Sequence, residues 1–489
     1  METHVDLAAI EGALAQLRLS TDNAPDVNRS IVTLAAGSKA NEEVRRRLAD
    51  PKILPRLVEV VECSLNDSLE VTTDALRCIG NACIDNEAAR SRIADLGVGW
   101  ARQCLQQGDV ELGWLAAQVL HNICFDYVPA QRACVVAKIH HDLISLCTLP
   151  GILKSADVSM ILDLLFDLTG DGVLDAESVW RDVPHHIITG LLSLPHYHIT
   201  HVSVDDFATI VEVCLTLLRV ATVQTHIVAN KLVDNVWRLF VDIERQLDGL
   251  AANDAMIAEQ RELLQPLSSS VLWCSSDIAA NPEFSVNYKR DDPFVEALIV
   301  LVAAVREADG LVSTAVSAHD TQVLPLFSEA FIEQGAPTSQ VLSLGGWREL
   351  AAACQILGNW IWKVSVSEIE PLVLTRNVHM GLWSALRFRL ISTDSPGSSM
   401  NDEIIHSIAG FLLQLCRGGA KVCEMMVEHV DANDALAALC HSQTPQLKQD
   451  GVRLMQALGK GSMSAREKLR DVISSLETPD ETSNALQME

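Results

Sequence analysis

A chain of 489 residues with 64 acidic and 37 basic side chains carries a formal net charge of −27. Such a balance repels a phosphate backbone and forfeits the counterion release that drives nucleic-acid binding, so no nucleic-acid partner is expected. Only 4% of residues are aromatic against 48% apolar in all, a Leu-, Ala- and Val-rich composition that suits stacked helices and disfavours a sheet protein.

Residues 1–28 read as a capping helix with Val5, Leu7, Ile10, Leu14 and Leu17 on its apolar side, followed by the loop STDNAPDVN. Its acidic start lacks the basic flank of a secretory signal. No apolar run along the chain approaches the roughly 20 residues of a membrane helix. A soluble, cytoplasmic, monomeric protein without membrane insertion is the expectation.

From residue 29 a pattern returns at near-fixed spacing. NEEVRRRL matches NEAARSRI 45 residues later, and steps of 41 residues lead from Asn81 in RCIGNACID to Asn122 in QVLHNICFD and to Asp163 in SMILDLLFD. In each copy a long helix ends in a polar turn and a second, short helix follows. Pro51, Pro55 and Gly97 mark breaks. A period near 41 lies in the armadillo and HEAT range. The fold expected is all-α, a right-handed α-solenoid of armadillo/HEAT-type helical repeats, with repeats over 29–247.

Residues at i, i+4 and i+8 of a helix share one stripe. In three successive units that stripe reads Arg77, Asn81, Asp85; Gln118, Asn122, Asp126; and Ser159, Asp163, Asp167, while Leu76, Ile79 and Cys83 with their counterparts face the stack. Stacking sets equivalent positions side by side, so these residues form a ladder of amides and carboxylates on one surface. Residues 61–180 hold 17 acidic and 7 basic side chains, which makes the field over the ladder negative and a basic extended peptide its natural ligand. A ladder Asn can equally serve structure, by hydrogen-bonding a neighbouring backbone group.

After Ala176 the period fades through SVWRDVPHHIITGLLSLPHYHITHVSVDDF, broken by Pro184 and Pro195, and repeat boundaries stay unassigned. Residues 207–247 read as two helices, and 248–291 as an irregular repeat or a linker. Repeats resume over 292–475, where ILGN at 356–359 matches CIGN at 78–81 and the stripe reads Gln355, Asn359, Lys363. Lys363 ends the acidic ladder, and Trp360 and Trp362 add aromatic surface or core. Residues 476–489 read as a disordered tail.

His185, His186, His196, His198 and His201 crowd one inter-helix loop without a thiolate or carboxylate to complete a metal-ligand spacing. Asp167, Asp171, Gly172 and Asp175 imitate part of a calcium loop, but its last position is Ser178 where a bidentate Glu is needed. Neither GxxxxGK[ST] nor GxGxxG occurs, and GxSxG and HExxH are absent. No catalytic residue, cofactor or metal site is assigned, and no enzymatic role is expected. The 13 cysteines, an odd number without a CxxC pair, read as reduced core thiols.

The segment ALRCIGNACIDNEAARSRI, with its echo LHNICFD, resembles the armadillo-repeat GDP-dissociation stimulators of small GTPases, the SmgGDS-like proteins, clearly over residues 30–170 and more weakly over 346–460. That resemblance implies an armadillo solenoid that binds Rho- and Rap-like GTPases ending in a basic stretch and a prenylated cysteine, stimulating nucleotide release or chaperoning them. Asn81 and Asp85 fall on the family's motif, and Asn122 and Asp126 on its echo; Asp163 and Asp167 follow by internal register. The histidine-rich middle and Lys363 depart from the pattern. Two alternatives stay open. An interaction scaffold of the ataxin-10 type shares an L-R-N-A-C run that LRCIGNAC resembles. An importin-like adaptor would bind basic peptides along an Asn ladder, but Arg77, Gln118 and Gln355 stand where that family has Trp, and the beginning of the chain is acidic.

Overall fold

The computed structural model describes residues 7–19, 25–149, 158–170, 172–198, 202–249, 255–303, 305–308, 311–314, 344–391, 399–470, 472 and 474. The chain divides into two compact units, Met1–Val223 and Gln224–Glu489.

In the first unit α1 (Leu7–Leu19) packs on α2 (Pro25–Ala40), burying Ile10, Leu14 and Leu17. Pro25 opens α2, since a first-turn residue needs no amide hydrogen. The last four residues of the expected loop STDNAPDVN are therefore helical, and 20–24 lie outside the described residues.

Four repeats follow. Each has three helices where two are expected from the sequence: α3 (Glu42–Leu48), α4 (Leu54–Ser64) and α5 (Leu69–Cys83); α6 (Glu87–Leu96), α7 (Gly99–Gln106) and α8 (Val110–Cys124); α9 (Val128–Val136), α10 (Ile139–Cys147) and α11 (Val158–Thr169); α12 (Ala176–Trp180), α13 (His185–His198) and α14 (Val204–Leu218). In the second, third and fourth repeats the first and second helices meet at a positive-φ residue, Gly97, Lys138 and Asp182 respectively; of these only Gly97 marks its break in the sequence. Asn41 and Asn86, which open the matching NEEVRRRL and NEAARSRI, cap α3 and α6 by accepting from the amides of Val44 and Ala89. The histidine-bearing segment is helix rather than loop: α13 starts just after Pro184 and carries Pro195 in its last turn.

The third helices α5, α8, α11 and α14 pack each on the next, continuing from α2. A Cβ on Gly80 would stand 3.0 Å from Val119 Cγ2, so the glycine of the Gly-Asn motif lets α5 and α8 approach. Arg90 of α6 joins the ends of the same two helices, donating from Nε to the Cys83 carbonyl (3.0 Å) and from Nη1 to the Phe125 carbonyl (2.7 Å). A cation at a helix C-terminus satisfies carbonyls that have no partner within the helix.

α15 (Ala221–Ala229) straddles the division between the units, so 207–247 holds three helices rather than two. The second unit continues with α16 (Val233–Gly249), α17 (Ala255–Ala280), α18 (Phe284–Asn287), α19 (Pro293–Ala303) and α20 (Leu344–Ile361). Then come α21 (Val366–Leu374), α22 (Val378–Ile391) and α23 (Ser399–Leu415), a 3-10 turn (Cys416–Gly418), α24 (Ala420–Val427), α25 (Ala432–Cys440), α26 (Pro445–Gly461) and α27 (Met463–Lys468). Helices α17, α20, α23 and α26 stack as the third-helix series of this unit. Within 248–291, expected as an irregular repeat or a linker, Ala255–Ala280 form the third helix α17.

The all-α expectation holds, with one short extended pairing among the described residues. β1 (Val305–Ala308) pairs antiparallel with β2 (Leu311–Thr314), Val305 opposite Thr314, a β-branched stretch that favours an extended ladder. Elsewhere the regular structure of the described residues is helical, and each unit is an α-solenoid of armadillo-type repeats. All 13 cysteines are free thiols, and only Cys63 is exposed. The expected tail, 476–489, lies outside the described residues.

Candidate peptide-binding surface of the third helices

The expected ladder continues each third helix four residues past its Asn. The chain does otherwise in the first two copies. α5 ends at Cys83 and α8 at Cys124, Ile84 and Phe125 turn extended (ψ 123 and 115), and Asp85 and Asp126 are left-handed (φ 51 and 50). These two aspartates are exposed turn residues and not members of a helical stripe. Aspartate tolerates the left-handed region better than most side chains, so local backbone geometry contributes to their presence. In the third copy the helix runs on to Thr169, which keeps Asp163 and Asp167 helical, one turn apart, the first exposed and the second half-buried.

The remaining ladder positions divide by what they touch. Arg77 and Gln118 are exposed, Arg77 paired with Asp74 on its own helix at 2.8 Å. Asn81 reaches backwards, its Nδ2 donating to the buried hydroxyl of Ser38 on α2 (2.9 Å). Asn122 is half-buried. Ser159 reaches forwards, donating to Asp206 Oδ2 on α14 (3.0 Å). In the second unit Asn359 repeats the backward reach, donating to the Ser276 carbonyl (2.9 Å) and hydroxyl (3.1 Å) on α17. Gln355 is not a surface rung: its Nε2 donates to Ser407 on α23 (2.9 Å) and its Oε1 is buried without a partner. The Gly-Asn motif is therefore first a stacking device. In a double-mutant cycle we expect Asn81→Ala and Ser38→Ala to couple by about 1 kcal/mol of unfolding free energy, the net worth of one hydrogen bond. Additive losses would release Asn81 from that duty.

What the structure does assemble is a carboxylate cluster. Burial raises the Asp167 carboxyl above the usual range, the neighbouring Asp163 and Asp126 push it further, and His121 pulls it down. The end of α8 and the middle of α11 thus share one field. Among the described residues none of Asp85, Asp126, Asp163 and Asp167 makes an ion pair. Phe125 and Phe166 flank the cluster, 50% and 40% exposed, and the His121 and Phe125 ring centroids stand 6.0 Å apart. Both phenylalanines escaped the sequence reading, although the dipeptide Phe-Asp recurs in NICFD and LLFD.

No protein-family model matches the chain, and no curated protein matches it either. Solved structures do resemble it. One engineered protein is 16% identical with a TM-score of 0.45, over 97% of this chain and 95% of its own. A designed armadillo repeat protein in complex with peptide (KR)4 is 13% identical with a TM-score of 0.38, over 53% of this chain and 99% of its own. A second designed armadillo repeat protein is 14% identical with a TM-score of 0.37, over 54% and 99%. The repeat assignment rests on the helix packing and not on these likenesses.

His185, His186, His196 and His198 lie on α13, while His201 and Asp171 lie outside the described residues. Asp175 caps α12, accepting from the Ser178 amide (2.9 Å) and hydroxyl (2.7 Å), bonds that hold its carboxyl below the usual range. Among the described residues no group of three or more His, Cys, Asp or Glu could hold a metal ion, and no helix is long and apolar enough to cross a membrane. Trp360 is core, its Nε1 donating to the Tyr288 carbonyl (2.8 Å), and Trp362 is surface, 57% exposed.

Proposed function

We propose that the first unit binds a basic, extended segment of a partner protein across the ends of α8 and α11, without catalysis. The carboxylate cluster of Asp126, Asp163 and Asp167 carries this reading: three acids in one field, none of them ion-paired among the described residues, beside two exposed phenyl rings suited to the stems and cations of Lys or Arg. A negative charge just past a helix C-terminus opposes the helix dipole, so Asp126 serves the helix less well than Asn would. Asn keeps the left-handed turn and removes the charge.

That substitution is the test. With a labelled (KR)4 peptide at low salt, the triple variant D126N/D163N/D167N is expected to bind roughly 100-fold more weakly at unchanged helicity, at close to 1 kcal/mol per charge. Raising salt should weaken the parent in the same way. Unchanged affinity moves the site elsewhere.

Within this reading the finer proposal is a small GTPase with a basic, prenylated tail as partner, with stimulated GDP release. The motif at 74–93 and the acidity of the cluster support it, and an exchange assay on prenylated and unprenylated GTPases tests it. The second reading, an interaction scaffold of the ataxin-10 type, is favoured by the commitment of Asn81 and Asn359 to stacking. It predicts partner binding with no change in GDP release.

A further inference from the structure

The turn after the third helix changes sign between the units. In the first unit the residue two beyond the helix end is Asp85 after α5 and Asp126 after α8; in the second it is Lys363 after α20 and Arg417 after α23. Cations here complement the dipole of the helix they follow, which by itself explains a charge at each end. Helix stability does not explain the apolar surface beside them. Trp362 is 57% exposed, Val366, at the start of α21, is 54% exposed, and Met463, at the start of α27, is 72% exposed.

These groups lie on one edge. Arg417 Nη1 donates to the Ile361 carbonyl at the end of α20 (2.8 Å), and its guanidinium covers the Trp362 ring at 5.0 Å from the centroid. Ser462, which follows α26, donates to Glu424 of α24 (2.6 Å), and α24 starts directly after the Arg417 turn. Exposed Lys421 and Lys460 extend the same edge. In a chain of net charge −27 this is a local reversal. It joins a planar aromatic already stacked by a guanidinium to Lys363, a cation that makes no ion pair among the described residues.

We infer that this edge of the second unit is a docking surface for an acidic peptide segment that also carries an aromatic or aliphatic side chain. Carboxylates of the segment meet Lys363 and Arg417, and its apolar side chain packs on Trp362 and Val366. A short, extended segment fits a row of turns better than a wide macromolecular face does. The charge is opposite to that of the first unit, so the two surfaces select different partners.

The experiment titrates the full chain with a fluorescein-labelled peptide alternating glutamate and phenylalanine, against a serine–phenylalanine control and against vesicles of anionic lipid. Because Arg417 also supports the end of α20, the variants are Lys363→Glu and Trp362→Ala, which leave the bond from Arg417 to Ile361 in place. The expected result is salt-sensitive binding of the acidic peptide and not of the serine control, weakened about tenfold by each variant at unchanged helicity and unaffected by D126N/D163N/D167N. No binding of the acidic peptide, binding indifferent to Lys363→Glu, equal binding of the serine peptide, or vesicle binding without peptide binding would each overturn the proposal.

Discussion

Arg348→Met is expected to cost the second unit about 3–5 kcal/mol of unfolding free energy, the range for a buried ion pair stripped of one partner. Arg348 of α20 and Glu244 of α16 meet at 3.2 Å with side chains 5% and 3% exposed. Ser268 donates its hydroxyl to Glu244, and Arg348 Nη2 donates to the Ser269 hydroxyl at 3.0 Å. Both serines lie on α17, so the network joins three helices of the unit. Methionine keeps the unbranched stem and the helix propensity of the position. What it leaves behind is a carboxylate in an apolar interface, and that is the source of the cost. The double variant R348M/E244L removes both charges and should recover most of the loss. Denaturant unfolding followed by circular dichroism measures both, fitted with one transition per unit. A loss below about 1 kcal/mol for the single variant would mean that water reaches the pair.

Mild acid should weaken the first unit through two buried histidines. His140 is buried, its Nε2 donating to the Val179 carbonyl at 3.1 Å, and its ring stands 4.3 Å from that of His141. Burial lowers both, His140 to about 3 and His141 to about 4, with His141 and Lys138 adding to the effect on His140, and Lys138, Arg102 and His186 to that on His141. In the unfolded chain each histidine takes up a proton near pH 6.5. Between that pH and the folded values the unfolded state binds more protons, so stability is full above about 6.5 and falls as pH falls. At pH 5 the loss is roughly 2 kcal/mol per histidine. Asp167 and Glu212, both raised by burial, act in the opposite direction, adding stability as pH falls from their raised folded values towards their unfolded values near 4. Unfolding free energies at pH 7 and pH 5 check the slope. His140→Leu should reduce it, lowering stability more at pH 7 than at pH 5: the Val179 carbonyl loses its donor at both pH values, but at pH 5 the cost of keeping His140 neutral is also gone. A slope unchanged by that variant would assign the acid sensitivity to other groups.

The repeat was legible because its signals are local. Asn41 and Asn86 cap helices at matching offsets, and Gly80 before Asn81 marks where two third helices approach. The candidate site was legible only in part. Asp126, Asp163 and Asp167 do share a field, but the helical stripe invoked to bring them together fails at Ile84 and Phe125, where the backbone leaves the helix. The same 3.6-residue extrapolation placed Gln355 on the surface, whereas Ser407 of the next repeat holds it inward. Phe125 and Phe166 were passed over because an apolar residue on a helical repeat reads by default as core.

By itself the sequence determined the class of fold, the period, the caps and the acidity of the first unit. Each of these depends on residues within a turn or two of one another, or on a sum of charges. Tertiary structure alone decided which side chains hold the stack and which face a partner. Asn81 and Asn359 bond to residues 43 and 83 positions away, and Trp362 stays outside while Trp360, two residues earlier, is buried. The physical reason is that a side chain's duty depends on which repeat lies against it. The end of the third helix differs between copies in the same way, at Cys124 in one and at Thr169 in the next.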